Sequence, residues 1–239
     1  QTFNLLLDRL HQAFTRERQF IGDVAHELKT PLSTIRTNTE IVLSKPRTIS
    51  EYKKTLEEIL VDNNKLAATL KNVLDLAWAE SQSPKTNEII DLAQTLTELK
   101  DIAVKLATPK NIIIKSRISP DIRVLGKSDK LGQAILNLLD NAVKFTKNNG
   151  QIYLNLATHN NQAIIQIKDT GVGINPLDIP HIFERFYRGS KSGKVLGSGL
   201  GLAIARSIVK MHNGEIRVES KVGHATVFTI YLPLMNKVK

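Results

Sequence analysis

The chain of 239 residues contains no cysteine, only one tryptophan, and aromatic residues at 5% of its positions. Without thiols it has no disulfide framework, no thiolate zinc site and no cysteine nucleophile, so any catalysis must use other groups. No run approaches the roughly 18 apolar residues that a membrane span requires, and no signal-peptide pattern opens the chain. The sequence therefore predicts a soluble, cytoplasmic polypeptide, and its length favours about two domains.

Basic residues are in excess, but only in the second part of the chain. Lysine and arginine total 33 against 23 aspartate and glutamate residues, for a formal net charge of +10. Residues 1–83 carry 11 of each sign, so the 22 basic and 12 acidic residues of 84–239 account for the whole excess. A positive field attracts nucleotides, nucleic acids and anionic lipids alike. Nucleic acid is not an expected partner, because no nucleic-acid-binding motif accompanies the charge and aromatic residues are scarce.

Apolar residues recur mostly at steps of three and four through the first part of the chain, which is the heptad pattern of long packed helices. The first seam consists of Phe3, Leu7, Leu10, Phe14, Ile21, Ala25, Leu28, Leu32, Ile35 and Val42, and the second of Tyr52, Leu56, Ile59, Asn63, Leu66, Leu70, Val73 and Ala77. Pro46 and its polar neighbours separate the two seams, so the pattern predicts an all-α, antiparallel helical hairpin. Two helices with continuous apolar stripes cannot bury them fully against each other. Two hairpins are therefore expected to pair into a dimeric four-helix bundle, which makes the protein a homodimer.

A polar linker at 81–84 separates this hairpin from a second domain that begins near Asn87. The expected elements are a helix at 92–107, strands at 112–115 and 122–125, a helix at 128–147, strands at 151–157 and 163–168, a helix at 199–212 and a terminal hairpin at 215–232. Helices gathered on one face of a mixed sheet give an α+β two-layer sandwich.

The helix expected at 128–147 carries a polar face opposite its apolar one. Asn137, Asn141 and Lys144 stand at i, i+4 and i+7 and share that face. Amide oxygens are hard ligands suited to Mg²⁺, whose octahedral shell is completed by phosphates and waters, and an ammonium group neutralises phosphate charge. The face is therefore suited to a magnesium triphosphate, although asparagines at this spacing are also common on ordinary exposed helices.

A first glycine-bearing stretch follows the strand expected at 163–168. It contains Asp169, Gly171 and Gly173. A carboxylate at this place can accept the hydrogens of an adenine 6-amino group, and the glycines permit close approach of the backbone. An ordinary turn at the end of a strand has the same composition, so both interpretations stay open on this stretch alone.

A second glycine-bearing stretch, with Gly197, Gly199 and Gly201, opens the last predicted helix. The free N–H groups of such a helix start can hold phosphate. A dinucleotide-binding loop would need a preceding strand, which 191–196 does not offer. Between the two stretches, Arg185 and Arg188 stand among aromatic residues in a segment that predicts a mobile lid; the alternative is a loop held by a small hydrophobic cluster.

Taken in order, these four features resemble the ATP-binding domain of histidine kinases and their GHKL (Bergerat-type) relatives over about residues 88–235. The resemblance implies that Asn141 ligates Mg²⁺ and that Asn137 assists at the metal or the reaction centre. The GHKL relatives that hydrolyse ATP carry glutamate where Asn137 stands, because they activate water. An amide cannot serve as that base, which favours transfer of phosphate to another acceptor.

The same resemblance implies roles for further residues of the second domain. Lys144 is expected to contact phosphate, Phe145 to lie beside adenine, Asp169 to bind adenine, and Arg185 or Arg188 to contact the γ-phosphate. Ala225 departs from the glycine usual in the family near the end of the domain. No nucleotide role is therefore expected for the neighbouring Thr226.

The acceptor is indicated by residues 20–32, Phe-Ile-Gly-Asp-Val-Ala-His-Glu-Leu-Lys-Thr-Pro-Leu, which resemble the H box of the HisKA class. His26 follows the seam residue Ala25 and is expected on the flank of the bundle, where a neutral imidazole is a competent nucleophile. Glu27 can hydrogen-bond the other ring nitrogen or take up its proton, although a glutamate here can also be a plain solvated charge. The family counterpart of Thr30 orients a water for dephosphorylation of the partner.

The resemblance divides the chain into 1–16, the end of a HAMP-like signalling helix, 17–84, the dimerisation and histidine phosphotransfer domain, and 88–235, the catalytic ATP-binding domain. It implies autophosphorylation of His26 with ATP and Mg²⁺ and transfer to an aspartate of a response-regulator receiver domain. A start at Gln1, within a helical pattern, predicts a missing N-terminal region through which a parent receptor contacts the membrane. The alternative function is a catalytically silent, nucleotide-binding scaffold or signalling module.

Overall fold

The computed structural model describes residues 2–81, 88–189 and 197–235 and divides into two compact units, Gln1–Asp75 and Leu76–Lys239. The predicted linker from residue 82 onward and the stretch 191–196 lie outside the described residues. Within the described ranges, no helix combines the length and the apolarity needed to cross a bilayer.

The first unit is a helical hairpin. Helix α1 spans Thr2–Leu43 and helix α2 spans Ile49–Ser81, of which the part from Leu76 onward belongs to the second unit. A capping box begins α2: the Thr48 N–H donates to the Glu51 carboxylate (2.8 Å), and the Glu51 N–H donates to the Thr48 hydroxyl (3.3 Å). The predicted break between the two helices is thereby confirmed.

Much of the apolar seam of this hairpin is exposed in a single chain. Six large seam side chains are between 48% and 66% exposed: Leu10, Phe14, Ile21, Leu32, Leu56 and Leu70. Burying one such side chain contributes about 1.5–3 kcal/mol, so a second apolar surface that covered the exposed stripe would stabilise it.

The second unit contains all the strands. After the end of α2 it runs through β1 (Glu88–Asp91), α3 (Leu92–Ala107), a 3-10 turn (Thr108–Lys110), β2 (Ile113–Ile118), β3 (Arg123–Gly126), α4 (Ser128–Phe145), β4 (Gln151–His159), β5 (Gln162–Asp169), α5 (Gly201–Met211), β6 (Glu215–Lys221) and β7 (Ala225–Pro233). Each predicted helix and strand is present, with its ends shifted by at most a few residues, and β1 is an additional strand that the sequence did not predict.

Five strands form one mixed sheet in the order β2-β4-β5-β7-β6, with β2 parallel to β4 and the other pairs antiparallel. Strands β1 and β3 pair separately. Asn160 and Asn161, both at positive φ, make the two-residue turn from β4 to β5. Alternate residues of β4 are buried, and α3, α4 and α5 pack along one face of the sheet. The predicted α+β two-layer sandwich is confirmed.

Gly126, at the end of β3, lies against a buried histidine. His212 is 3% exposed, its Nδ1 lies 2.8 Å from the Ile208 carbonyl oxygen, and its Nε2 accepts the Lys127 N–H at 3.0 Å. These bonds hold the ring in place, and a Cβ at Gly126 would lie 2.0 Å from its Cδ2. Gly126→Ala is therefore expected to lower the free energy of unfolding of the second unit by about 1–3 kcal/mol, since overpacking a fixed core is destabilising.

Chemical denaturation followed through the fluorescence of Trp78 measures this effect, because the one tryptophan of the chain belongs to the second unit. Gly132→Ala in α4 is the matched control, since a Cβ there meets nothing within 4 Å. The control is expected to be neutral or stabilising by up to about 1 kcal/mol. An unchanged midpoint for Gly126→Ala would contradict the prediction.

Candidate functional site

Helix α4 carries the predicted polar face. One stripe of the helix is buried: Leu131, Ala134, Ile135, Leu138, Leu139, Ala142 and Val143. This burial fixes the rotation of the helix about its axis. Asn137, Asn141 and Lys144, which lie outside the stripe, are half-buried, as is Phe145 at the end of the helix.

The second glycine motif lies against this polar face. The Asn137 side-chain amide donates to the Gly201 carbonyl oxygen at 3.1 Å, across 64 residues of sequence. Further along the face, a Cβ at Gly197 would stand 3.9 Å from the Lys144 ammonium nitrogen. The structure therefore brings together two motifs that the sequence analysis could only place in order along the chain.

The Lys144 ammonium also pairs with Asp140, one turn earlier on α4, at 2.6 Å. The two side chains are 37% and 40% exposed, so the pair is open to solvent and to ligands. A phosphate beside Lys144 would compete with this carboxylate for the ammonium group. Asp140 was not predicted as a site residue, although the sequence shows opposite charges at i, i+4 here.

The first glycine motif contacts the end of α4. The Gly171 N–H donates to Asp169 Oδ1 at 2.8 Å, and the N–H of the following residue donates to the Phe145 carbonyl at 3.2 Å. A Cβ at Gly171 would lie 2.5 Å from the Phe145 carbonyl oxygen, so a side chain does not fit. Gly173 has a φ of +69°, and a Cβ there would lie 2.3 Å from the Lys221 carbonyl oxygen. Both glycines are thus needed for close backbone contact.

Asp169 is a buried carboxylate at the end of β5, 3% exposed. Burial raises its pKa to about 6, although the N–H groups of Gly171 and Thr226 donate to it and oppose the shift. Thr226 faces Asp169 across the pair of β5 and β7, is 5% exposed, and has its hydroxyl 2.9 Å from Ser220 Oγ. No nucleotide role was expected for Thr226, because Ala225 departs from the family's glycine. The pairing of β5 with β7 nevertheless sets it beside Asp169, 57 residues earlier in the chain.

Phe186, in the segment between the glycine motifs, lies against Gly199 of the second motif. Phe186 has a φ of 60°, which is unusual for a bulky residue, and Gly199 has a φ of +71°. A Cβ at Gly199 would lie 2.6 Å from the carbonyl carbon of Phe186. Helix α5 begins just beyond, at Gly201, with no side-chain hydrogen bond from its N-cap residue Leu200. Its first N–H groups are therefore suited to an anionic ligand.

The two arginines of the predicted lid differ in their surroundings. The Arg185 guanidinium pairs at 2.5 Å with Glu80, in the last turn of α2. Arg188 is exposed, near the end of the described segment. The aromatic residue before them, Phe183, packs edge to face against Phe228 with ring centroids 6.3 Å apart. The segment is thus anchored to the sheet by Phe183.

Lys110 supports the site at the C-terminal end of α4, and it too was not predicted from the sequence. Its ammonium group donates to three carbonyl oxygens at the C-terminus of α4, those of Val143 (2.8 Å), Lys144 (2.7 Å) and Thr146 (3.2 Å). A cation at a helix C-terminus satisfies carbonyl groups that lack partners within the helix and opposes the negative end of its dipole. Lys110 therefore holds the turn that carries Lys144 and Phe145.

The predicted phosphoacceptor lies in the first unit. His26 is exposed on α1, and Glu27 beside it is half-buried. The Thr30 hydroxyl donates to the His26 carbonyl oxygen at 3.3 Å, one helical turn away. An exposed imidazole on a helix flank is accessible to a large reaction partner.

A metal ion at the α4 face would depend on amide oxygens and on the ligand that arrives with it. No group of three or more histidine, cysteine, aspartate or glutamate side chains in the described ranges could hold a metal ion. Mg²⁺ commonly takes one or two protein oxygens and completes its shell with phosphates and waters. Asn137 and Asn141 fit such a shared magnesium site.

Two stretches of the chain match known families. Residues 126–236 match the family described as histidine kinase-, DNA gyrase B-, and HSP90-like ATPase, and residues 16–82 match the His Kinase A (phospho-acceptor) domain. The chain is 32% identical to the sensor histidine kinase RppB of Synechocystis over 237 residues, which cover 97% of this chain and 52% of the relative. It thus spans about half the length of the curated relatives it matches.

Solved structures agree with these matches. The mycobacterial sensor histidine kinase MprB is 33% identical with a TM-score of 0.53, over 62% of this chain and 97% of that one. ShkA, solved in complex with AMPPNP, has a TM-score of 0.68 at 24% identity, over 90% of this chain and 46% of that one. The likeness to ShkA concerns the fold.

Proposed function

The chain belongs to the sensor histidine kinases, and from this membership we propose that it uses ATP to phosphorylate its own His26 and passes the phosphoryl group to an aspartate of a response-regulator receiver domain. The observation that carries the proposal is the contact of α4 with both glycine motifs, through Asn137 and Gly201 on one side and Phe145 and Gly171 on the other. These contacts gather a carboxylate, amides, an ammonium group and a free helix start around one place, which suits adenine at one end and phosphates at the other.

In the proposed complex, Asp169 accepts the adenine 6-amino hydrogens beside Thr226, and Phe145 packs against the base. Lys144 leaves Asp140 for phosphate, and the loop from Gly197 to Gly201 offers its N–H groups. Arg185 or Arg188 contacts the γ-phosphate. The half-buried state of the α4 side chains supports ligand binding at this face, since they are neither in the core nor fully in solvent.

A nitrogen of the His26 imidazole then forms a bond to the γ-phosphorus while the bond from that phosphorus to the bridging oxygen breaks, and ADP leaves. The proton on the other ring nitrogen passes to Glu27 or to solvent. Asn137, an amide, supplies no base for water, so the histidine is the first acceptor. In the second transfer a receiver aspartate attacks the phosphorus and the nitrogen–phosphorus bond breaks. The imidazole takes back a proton from Glu27 or solvent, and neutral His26 is restored. Thr30 is placed to orient a water if the protein also dephosphorylates its partner.

Asn141, with Asn137, would hold Mg²⁺, which when bound neutralises charge on the phosphates. The protein itself orients the triphosphate, keeps the γ-phosphate near the N-terminus of α5, and binds the base. Because the proposed reaction uses ATP, a cytoplasmic nucleotide, we propose that these two units lie in the cytoplasm.

We further propose that two chains pair through their hairpins, since the exposed seam of α1 and α2 is stabilised when a second copy covers it. Light scattering is expected to give about twice the chain mass of 26.6 kDa. Replacing Leu32 and Leu70 with glutamine should shift the protein toward single chains, whereas the same change at Leu177, which is 79% exposed in the second unit, should not. A wild-type chain that stays at its single mass at micromolar concentration would contradict the dimer.

Labelling with ATP carrying a radioactive γ-phosphate tests the kinase directly. The expected product is a protein phosphate that is labile in acid and stable in base, as a phosphoramidate is. A silent scaffold would bind the nucleotide without any label, and a hydrolase would release inorganic phosphate and leave the protein unlabelled. An acid-stable label would overturn histidine as the acceptor.

A further inference from the structure

The end of α2 is built into the second unit. Leu76 is fully buried and Ala79 is 6% exposed, so this last stretch of helix has a core-facing side. Trp78 between them lies under two ammonium groups, those of Lys127 at 4.9 Å and Lys130 at 4.8 Å from the ring centroid. Cation–π contacts of this kind are attractive, because the ring face carries negative charge density. The helix end is therefore held at the start of α4 by both apolar and electrostatic contacts.

Glu80 stands on this docked stretch, one turn after Leu76, and the docking determines where its carboxylate lies. It pairs with Arg185 at 2.5 Å, with side chains 37% and 29% exposed. The two residues are 105 positions apart, so the pair forms only while both the helix end and the lid segment hold their places. Phe186, next to Arg185, has the positive φ of 60° and lies against Gly199 at the base of the lid. The ion pair thus lies beside the place where the lid segment contacts the second glycine motif.

The guanidinium of Arg185 cannot serve two anions fully at once. Arginine binds carboxylate and phosphate with the same forked set of donors. While Glu80 holds the Nη2 donors of Arg185, their use by a γ-phosphate is reduced, and the reverse also holds. Binding at one place is then coupled to binding at the other by the same free energy in both directions.

We propose that Glu80 is a latch that holds Arg185 in the absence of nucleotide and releases it to the γ-phosphate of ATP. The latch ties the end of α2 to the lid, so ATP binding frees the lid from the helix end while ADP, which has no γ-phosphate, leaves the pair in place. This inference rests on the proposed function, because it takes Arg185 as a phosphate contact. The inference adds Glu80 as a residue that competes with the γ-phosphate for Arg185. This competition weakens ATP binding but not ADP binding, so it lowers the preference of the site for ATP over ADP.

Calorimetric titration of the full chain with AMPPNP and with ADP, both with Mg²⁺, tests the latch. Glu80→Gln keeps the shape of the side chain but removes its charge, and it is expected to tighten AMPPNP binding about two- to fivefold, in keeping with a half-exposed ion pair, while leaving ADP binding unchanged. Arg185→Gln is expected to weaken AMPPNP binding. In the Arg185→Gln background, Glu80→Gln should have no further effect, because the two changes act through one interaction.

Glu58→Gln is the matched control, since Glu58 is exposed on the same helix within the first unit and its loss changes the net charge by the same amount. An unchanged emission spectrum of Trp78 shows that the helix end stays docked in each variant. An AMPPNP to ADP affinity ratio that Glu80→Gln leaves unchanged or lowers overturns the latch alone. A wild-type chain that binds neither nucleotide overturns the proposed function, and the latch with it.

Discussion

Replacing His26 with glutamine is expected to reduce the acid-labile label from ATP to background. Glutamine keeps a side chain of similar reach on the helix but has no nucleophilic nitrogen, so the bond to phosphorus cannot form. Nucleotide binding should be unchanged, because His26 belongs to the first unit and the residues proposed to bind ATP belong to the second. The combination of normal binding with no label separates loss of the acceptor from loss of the fold.

His11→Gln is the control for this experiment. His11 is exposed on the same helix, about four turns before His26. Its replacement removes an imidazole and leaves the proposed acceptor unchanged. It should retain the full label. A label that persists in His26→Gln, or one that is lost equally in both variants, would contradict the assignment of His26 as the phosphate acceptor.

The sequence predicts the local elements of this protein well because their signals are local. Helix α3 was expected at 92–107 and spans Leu92–Ala107, where Asp91 accepts N–H groups of the first turn as an N-cap. Strand β1 was missed because its four residues are too few to show alternation, and it pairs with β3 only after α3 and β2 have intervened. A helix or strand can thus be predicted from its own residues only when it is long enough to show its periodic pattern.

The individual motifs of the candidate site were predicted from the sequence, but the contacts between them were not. Asn137 and Gly201 were both expected at the site, whereas the hydrogen bond between them depends on how α4 and α5 pack. Lys110 and Glu80 carry no motif of their own, and the stretch that contains Thr226 departs from the family's pattern at Ala225. Each acquires its role from a contact made across many residues, which is set by tertiary packing rather than by the neighbours in sequence.

The buried carboxylate of Asp169 is expected to lower the free energy of unfolding at neutral pH while it contributes to nucleotide binding. Its pKa is about 6 in the folded chain and near 3.8 as an unperturbed group, so the folded state binds more protons between these values and stability falls as pH rises through them. At about 1.36 kcal/mol per pKa unit, the cost above pH 6 is on the order of 3 kcal/mol. Asp169→Asn removes the charge and should raise the free energy of unfolding by about 1–3 kcal/mol at pH 7.5, with little gain near pH 4.

The same variant should bind ATP about 10- to 100-fold more weakly, because a charge-assisted hydrogen bond to the adenine amino group contributes about 1.5–3 kcal/mol. The asparagine oxygen can still accept the Gly171 N–H, so this contact is kept in the variant. Chemical denaturation at the two pH values and calorimetric titration with ATP measure the two effects, with Asp178→Asn as a control for an acidic residue of the lid segment outside the core. A less stable Asp169→Asn chain at pH 7.5 would contradict the burial argument.

ATP affinity of the wild-type chain should fall as pH drops through 6, since the protonated carboxyl group donates where it must accept. This dependence should be missing from Asp169→Asn, whose amide does not titrate, whereas protonation of the nucleotide phosphates affects both proteins alike. The difference between the two pH profiles therefore isolates Asp169. If both profiles fall in parallel, the carboxylate is not the group that binds adenine, and the buried charge needs another explanation.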